Sequence, residues 1–364
     1  MSVDNTLRAA MVDTVLPGFR WRIALDACVV PMAALVLTCL LFSVFVFLLG
    51  KDPVEVWSLI YQGAFANAFS WQNTLQRAAP LMLTSLAVVL PAQVGLIIIG
   101  GEGALVLGAL IGAVATQSVA GAAPIVVQAV LLLAGAAAGG LWIGLCGWMK
   151  TARNVNETIS SLLMSYIGIA LFNHLVEGPL RDPASLNKPS TKPIGDANMI
   201  GNLPGIDVHW GLVIGAVMAI AAFIFIQKTV GGFALRVVGG NQRAAKMVGI
   251  PVDKWIIVMC ALGGAMAGLA GAIEVGAVHG AANAAVIAGY GSTGILIAFI
   301  ARQNPLAVIP VSILIGGINA AGGLLQRRLD MPDATVLVLQ GIAFVCILGL
   351  ETLNNRTFFS RKTR

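Results

Sequence analysis

Charge is what this chain has least of. Only 10% of its 364 residues are charged, against 58% hydrophobic and a mean hydropathy of +0.90. That balance excludes a soluble domain, which needs a charged surface around its core, and identifies a polytopic integral membrane protein. Histidine and cysteine are also sparse. Cys28, Cys39, Cys146, Cys260 and Cys346 fall in or beside apolar runs with no spacing of a metal site or disulfide framework, so they read as packing residues. His174, His209 and His279 are scattered near the outer ends of apolar segments and read as interfacial structural groups, not as metal ligands. No GxxxxGK[ST] phosphate loop occurs, and no cytoplasmic loop could hold a nucleotide-binding domain. If ATP drives this protein, another chain must bind it. HExxH and GxSxG motifs are absent too, which argues against an enzyme and leaves no cofactor site in the chain.

A bilayer core about 30 Å thick needs roughly 20 apolar residues per helix. Ten such segments are expected: Asp26–Leu49, Thr74–Leu90, Gln93–Val119, Ile125–Met149, Thr158–Val176, Val208–Gln227, Trp255–Val275, Ala284–Ala301, Leu306–Leu325 and Ala334–Leu350. The fold class is therefore an all-α polytopic membrane protein of about ten transmembrane helices. Several are interrupted by Gly or flanked by Pro, which is tolerated where neighbouring helices cover the broken backbone. The first 25 residues carry Asp4 and Asp13 beside three arginines, and no small-residue cleavage site follows, so the first apolar run reads as an uncleaved span.

Orientation follows from the basic residues. With ten spans and a cytoplasmic N-terminus, 15 of the 22 Lys and Arg fall on the cytoplasmic side, where such residues accumulate. Residues 1–25 then form a cytoplasmic segment, 26–351 one transmembrane permease domain and 352–364 a cytoplasmic basic tail. The net charge of +6 matches loops facing anionic lipid and calls for no nucleic acid.

Two polar loops stand out. In Gly231–Lys254, Asn241 suits a helix N-cap, QRAAKMV could make about two turns, Gly249 suits the C-terminal cap and Pro251 stops continuation. So short a helix needs something to pack against, either the membrane domain or a docked subunit. Glu177–Asp207 is the longest loop on the other face and carries Pro179, Pro183, Pro189, Pro193 and Pro204; it reads as a connector or, by its length, as a docking surface for an external protein.

Two carboxylates lie inside apolar stretches. Glu102 sits in GLIIIGGEGALVLGALIGA, and Glu274 sits in GGAMAGLAGAIEVGAVHG. Carboxylates at membrane depth are functional candidates, and Glu102 could line a path or cap broken backbone. A short echo of GGEGALVLGALIGA recurs as GYGSTGILIAFIA from Gly289, as in transporters with repeated, broken helices.

From Thr74 to Leu350 the chain resembles the permease subunits of bacterial ABC importers for simple sugars and nucleosides. The resemblance rests on GGEGALVLGA, NVNETISSLLMSYI, EGPLRDP, GGNQRAAKMVGI, LAGAIEVGAVHG, GYGSTGI and QNPLAVI, in that order. The pair NVNETISSLL and GPLRDP points to the nucleoside-type branch. It implies a multi-pass plasma membrane permease, paired with a second permease chain as a heterodimer, with ABC ATPase subunits that hold Mg-ATP and with an extracytoplasmic substrate-binding protein. By similarity the coupling helix to the ATPase maps onto Asn241, Gln242, Arg243, Ala244, Ala245, Lys246, Met247, Val248 and Gly249. The family pattern often has Pro after the Asn, where this chain has Gln242. Gly101, Glu102 and Gly103, with Glu274, are candidates for the translocation path. No basic residue is expected in the interior of a span, Arg77 and Arg302 lying at ends, so the expected cargo is a neutral hydroxyl-rich solute, a nucleoside first and a simple sugar second. An ion-coupled secondary transporter would have to use Glu102, and a membrane scaffold would need larger loops.

Overall fold

The computed structural model describes residues 17–332 and 334–362, with side chains described for 32–332 and 334–350. The helices are α1 (Pro17–Leu48), α2 (Pro53–Phe65), α3 (Ala68–Ala92), α4 (Gly101–Thr116), α5 (Pro124–Arg153), α6 (Glu157–Glu177), α7 (Gly211–Lys228), α8 (Val230–Gly240), α9 (Gln242–Met247), α10 (Val252–Glu274), α11 (Tyr290–Ile300), α12 (Pro305–Leu329) and α13 (Ala334–Lys362). No strand longer than an isolated bridge occurs among the described residues. The chain divides into two compact units, one holding the described residues up to 57 and from 334 onward, the other Ser58–Pro332. In the first, α1 packs on α13, and Trp57 stands edge-on to Phe42 at 5.5 Å and donates its indole N–H to Ser43 Oγ at 3.0 Å.

The second unit holds the broken helices. Its helix starts are set by short polar residues: Asn67, Asn156 and Asn304 accept from Ser70 N, Ile159 N and Leu306 N, opening α3, α6 and α12, while Pro124 and Pro305 occupy first-turn positions where no backbone donor is needed. Helices α3, α4 and α10 are the most buried candidate spans and form the centre; α7 is the least buried of them. Lipid tails are as apolar as leucine, so the central helices associate by close packing. Gly108 of α4 meets the backbone of Gly268 in α10, and a Cβ on Gly135 of α5 would lie 2.7 Å from the Ala272 methyl and 3.0 Å from the Gly108 carbonyl. Alanine at Gly135 would therefore force these three helices apart.

By length and composition seven helices among the described residues are fit to cross a membrane, or eight if the bent pair Met32–Leu48 and Pro53–Phe65 counts as one span. That is fewer than the ten expected. The expected spans Ala284–Ala301 and Ala334–Leu350 fall on shorter apolar helices. In the first, Gly289 in the left-handed region (φ 74°) breaks the segment and leaves α11 only 11 residues long. The expected span Gln93–Val119 is also broken: helix begins again only at Gly101. At the N-terminus α1 already begins at Pro17, ahead of Asp26, and residues 1–16 of the expected cytoplasmic segment lie outside the described residues. At the other end α13 runs through the expected tail to Lys362, and residues 363–364 lie outside the described residues. Cys146, Cys260 and Cys346 are buried as packing residues; Cys39 is exposed, and the side chain of Cys28 lies outside the described residues.

Candidate functional site

Between α3 and α4 the chain leaves the helix, turning at 93–95 with Gly95 at φ 79° and running irregularly to Gly100. Backbone groups stranded in an apolar interior must find partners. Helix α6 supplies them as a column of hydroxyls. Thr158 Oγ1 donates to Ile97 O at 2.9 Å, Ser161 Oγ accepts from Ile99 N at 3.1 Å, and Ser165 Oγ accepts from Gly103 N at 3.0 Å. The approach is close enough to require glycine: a Cβ on Gly103 would lie 2.6 Å from Ser165 Cα, and one on Gly100 2.6 Å from Ser161 O.

Glu102 stands in the first turn of α4 and reaches α11. Its Oε1 accepts from Gly289 N at 2.9 Å and its Oε2 from Gly291 N at 2.5 Å, while the Gly291 backbone presses on that of Glu102 so that no Cβ would fit. Gly101 faces the same glycine, 3.6 Å from Gly291 Cα to the place its own Cβ would take. Two helix N-termini, each with unsatisfied donors and partial positive charge, thus share one carboxylate. Both of its oxygens are engaged, so Glu102 caps broken backbone. The two segments whose sequences echo each other meet at this junction.

Glu274, at the end of α10, is 3% exposed and lies where the α-helix gives way to a π-helical turn, Val275–His279. His279 Nε2 is 3.6 Å from Glu274 Oε2. Tyr290, the first residue of α11, lies within electrostatic reach of Glu274, Arg77 and Glu102, which brings both expected carboxylates into one neighbourhood. Arg77 differs from its expected place. Asn67 starts α3 six residues earlier than the hydrophobic pattern does, so Arg77 lies about 14 Å along the helix instead of at its mouth. Its charge is exposed and acts on Glu274.

The loop Glu177–Asp207 is folded onto its own chain. Thr191 N donates to Ala282 O at 3.0 Å, Ile194 N to Gly280 O at 2.9 Å and Ile200 N to Gly276 O at 2.7 Å, so the loop clamps the chain that joins Glu274 to Gly289. His209, just beyond it, is 2% exposed; burial holds its imidazole below the ordinary value and favours the neutral ring.

The polar loop between α8 and α10 holds the short helix that its sequence promises. Asn241 Oδ1 accepts from Arg243 N at 3.0 Å and Ala244 N at 3.1 Å, and Gly249 takes φ 81° after the last turn. Ala245 is fully buried beneath it. Met247 and Val248 are 83% and 71% exposed, Arg243 is exposed, and Lys246 Nζ pairs with Asp253 Oδ1 at 3.0 Å in the open. On the inner side Gln242 Nε2 donates to Val94 O at 3.0 Å.

The geometry adds a hydroxyl column and gives Arg77 and Gln242 contacts that the sequence does not show. The hydroxyls of Thr158, Ser161 and Ser165 follow a spacing of three and four residues, a helical face visible in NVNETISSLLMSYI. Arg77 needed the Asn67 cap to be placed. The Gln242 bond to Val94 spans 148 residues and leaves no local mark.

Comparison with known proteins finds a family and named relatives. The model of the family described as branched-chain amino acid transport system / permease component matches residues 70–348. The glucose ABC transporter permease protein TsgB13 of Haloferax volcanii is 31% identical over 314 residues, 83% of this chain and 82% of that protein. The guanosine ABC transporter permease protein NupP of Bacillus subtilis is 30% identical over 329 residues, covering 87% and 92%. The nucleoside ABC transporter permease protein NupB of Lactococcus lactis subsp. cremoris is 22% identical over 324 residues, covering 86% and 89%.

Proposed function

This chain belongs to the branched-chain amino acid transport system / permease component family and is a multi-pass membrane permease subunit of an ABC importer; from that premise we propose that it carries a neutral, hydroxyl-rich solute, a nucleoside. The observation that carries the reading is the engagement of both Glu102 oxygens by the amides of Gly289 and Gly291. Helix N-termini are ready-made anion sites. Here the chain's own carboxylate fills that role, and the Arg77 charge acts on Glu274. An anionic solute near Gly101, Glu102, Gly103 and Glu274 would meet two carboxylates and one guanidinium, and burial of an uncompensated charge is costly. A carboxylate already held by two amides is also a poor carrier of a coupling proton or sodium ion, which favours ATP-driven import over ion-coupled transport.

In this reading the chain has ten membrane segments, α11 being a half-span, with both termini cytoplasmic. Asn241–Gly249 receives an ABC ATPase that binds Mg-ATP, a second permease chain completes the path as a heterodimer, and a substrate-binding protein delivers solute to the face of Glu177–Asp207. The nucleoside assignment draws on the guanosine and nucleoside relatives. A simple sugar is the second reading, favoured by the glucose relative.

The test is ATP-dependent uptake by the complete transporter in proteoliposomes, offered guanosine, guanosine monophosphate and glucose. Uptake of guanosine with none of the monophosphate is expected. Preference for glucose would refute the nucleoside and keep the neutral path. Uptake of the monophosphate would overturn both.

A further inference from the structure

We propose that Gln242 is a positioning residue that passes the movement of α9 to the broken-helix junction through the turn at 93–95. This rests on the reading that α9 receives the ATPase. The turn is a corner at which three segments meet. Gln242 Nε2 donates to Val94 O at 3.0 Å, and Gly239, at the end of α8, abuts the Gln93 carbonyl so closely that a Cβ there has no room. Gln93 Nε2 in turn donates to Gln303 O at 3.1 Å, in the turn that closes α11. That turn is itself constrained, with Arg302 and Gln303 both in the left-handed region at φ 49° and 57°.

From this corner two segments lead to the same destination. Residues 95–102 lead to Glu102, and α11, followed backward from Ile300, leads to Gly291. The near ends are tied by Gln93 to Gln303 and the far ends by Glu102 to Gly289 and Gly291. The result is a frame closed at both ends, with Gln242 bonded to one corner. A displacement of α9 carried by that bond moves the frame as a body, and with it the Glu102 junction. Proline at 242 would leave Val94 O without this donor, so the connection belongs to this chain's glutamine.

The experiment uses the whole transporter, purified with its ATPase and reconstituted with its binding protein. It reads solute moved per ATP hydrolysed. Gln242→Met keeps the length of the side chain and removes the donor. Solute moved per ATP should fall about fivefold, the factor set by one neutral hydrogen bond of ordinary strength. Gln93→Met should lower the same ratio, and the double variant should be no worse than the more severe single one, because both break one connection. An unchanged ratio in Gln242→Met overturns the proposal. Loss of ATPase co-purification in that variant also overturns it, by making Gln242 a docking contact. Should Gln242→Met fail to reach the membrane, Gln93→Met decides alone, and an unchanged ratio there is equally fatal. If reversing the charges of Arg243 and Lys246 leaves ATPase binding intact, the docking assignment of α9 falls, and the ratio measured in Gln242→Met is read independently of it.

Discussion

The Glu102 junction and the α9 loop are both places where a short or broken helix cannot stand by itself, and they solve the problem in opposite ways. At Glu102 the broken ends find partners within the chain: two amides in one carboxylate, and the unwound backbone in the hydroxyls of α6. At α9 only the inner side is met, by buried Ala245 and the Gln242 bond, while Met247, Val248 and Arg243 stand in the open. A short helix draws its stability from what it packs against. The closed junction is thus complete as folded, whereas the open loop presents an apolar tip with basic neighbours that a second protein can cover. On the proposed reading the first region serves stability and the second partner binding, and substitutions can separate the two.

The largest effect is expected at the junction. Glu102→Ala strands the donors of Gly289 and Gly291 in an apolar interior, at about 1–3 kcal/mol each, so a loss of about 3 kcal/mol is expected in the unfolding of the detergent-solubilised chain, together with loss of uptake. Glu102→Gln keeps one acceptor and turns an amide donor toward the other, and should fall between. If Glu102→Ala unfolds like the wild type, the junction is not closed by that carboxylate and the comparison fails.

A smaller loss is expected at the hydroxyl column. Ser165→Ala leaves Gly103 N without its partner at the start of α4, where a neutral hydrogen bond contributes about 1 kcal/mol. The methyl fits where the hydroxyl stood, so no clash obscures the reading. Unfolding midpoints of the single variant and of Ser165→Ala combined with Glu102→Gln would show whether the two ties brace one element. Strict additivity would mean that the α6 column and the carboxylate act on separate structures.

The same two regions differ in how far they can be read from sequence. The capped helix at Asn241 is local: N-cap, two turns and a glycine at positive φ lie within nine residues, and each has its own chemical signature. The membrane class and most spans are compositional and equally legible. The junction is not. Glu102 and Gly289 are 187 residues apart, and nothing in either segment names the other beyond a faint resemblance of glycine-rich runs. The breaks inside two expected spans are hidden for the same reason. Hydropathy registers Gln93–Val119 and Ala284–Ala301 as continuous, because the glycines and hydroxyls that break and then satisfy these helices hardly alter apolar content. The pairing of the loop Glu177–Asp207 with 276–282 is likewise invisible locally, because its partners belong to another stretch of chain.

The smallest effect on stability, and the sharpest on the comparison, is expected from reversing both basic residues of α9. Lys246 and Asp253 form an exposed pair, 56% and 58% accessible, and such pairs contribute about 0.2–1 kcal/mol and are screened by salt. Arg243→Glu with Lys246→Glu should therefore shift the unfolding midpoint hardly at all, and raising the salt concentration should shrink even that shift. Association is a different matter. The charges flank Met247 and Val248, and an interface of this size is governed by a few central groups whose surroundings set the electrostatic fit. Retention of the ATPase on the purified permease should fall about tenfold or more, with normal insertion in the membrane. A variant that unfolds early yet still holds the ATPase would invert the assignment, making α9 part of the closed core and leaving partner binding to another surface.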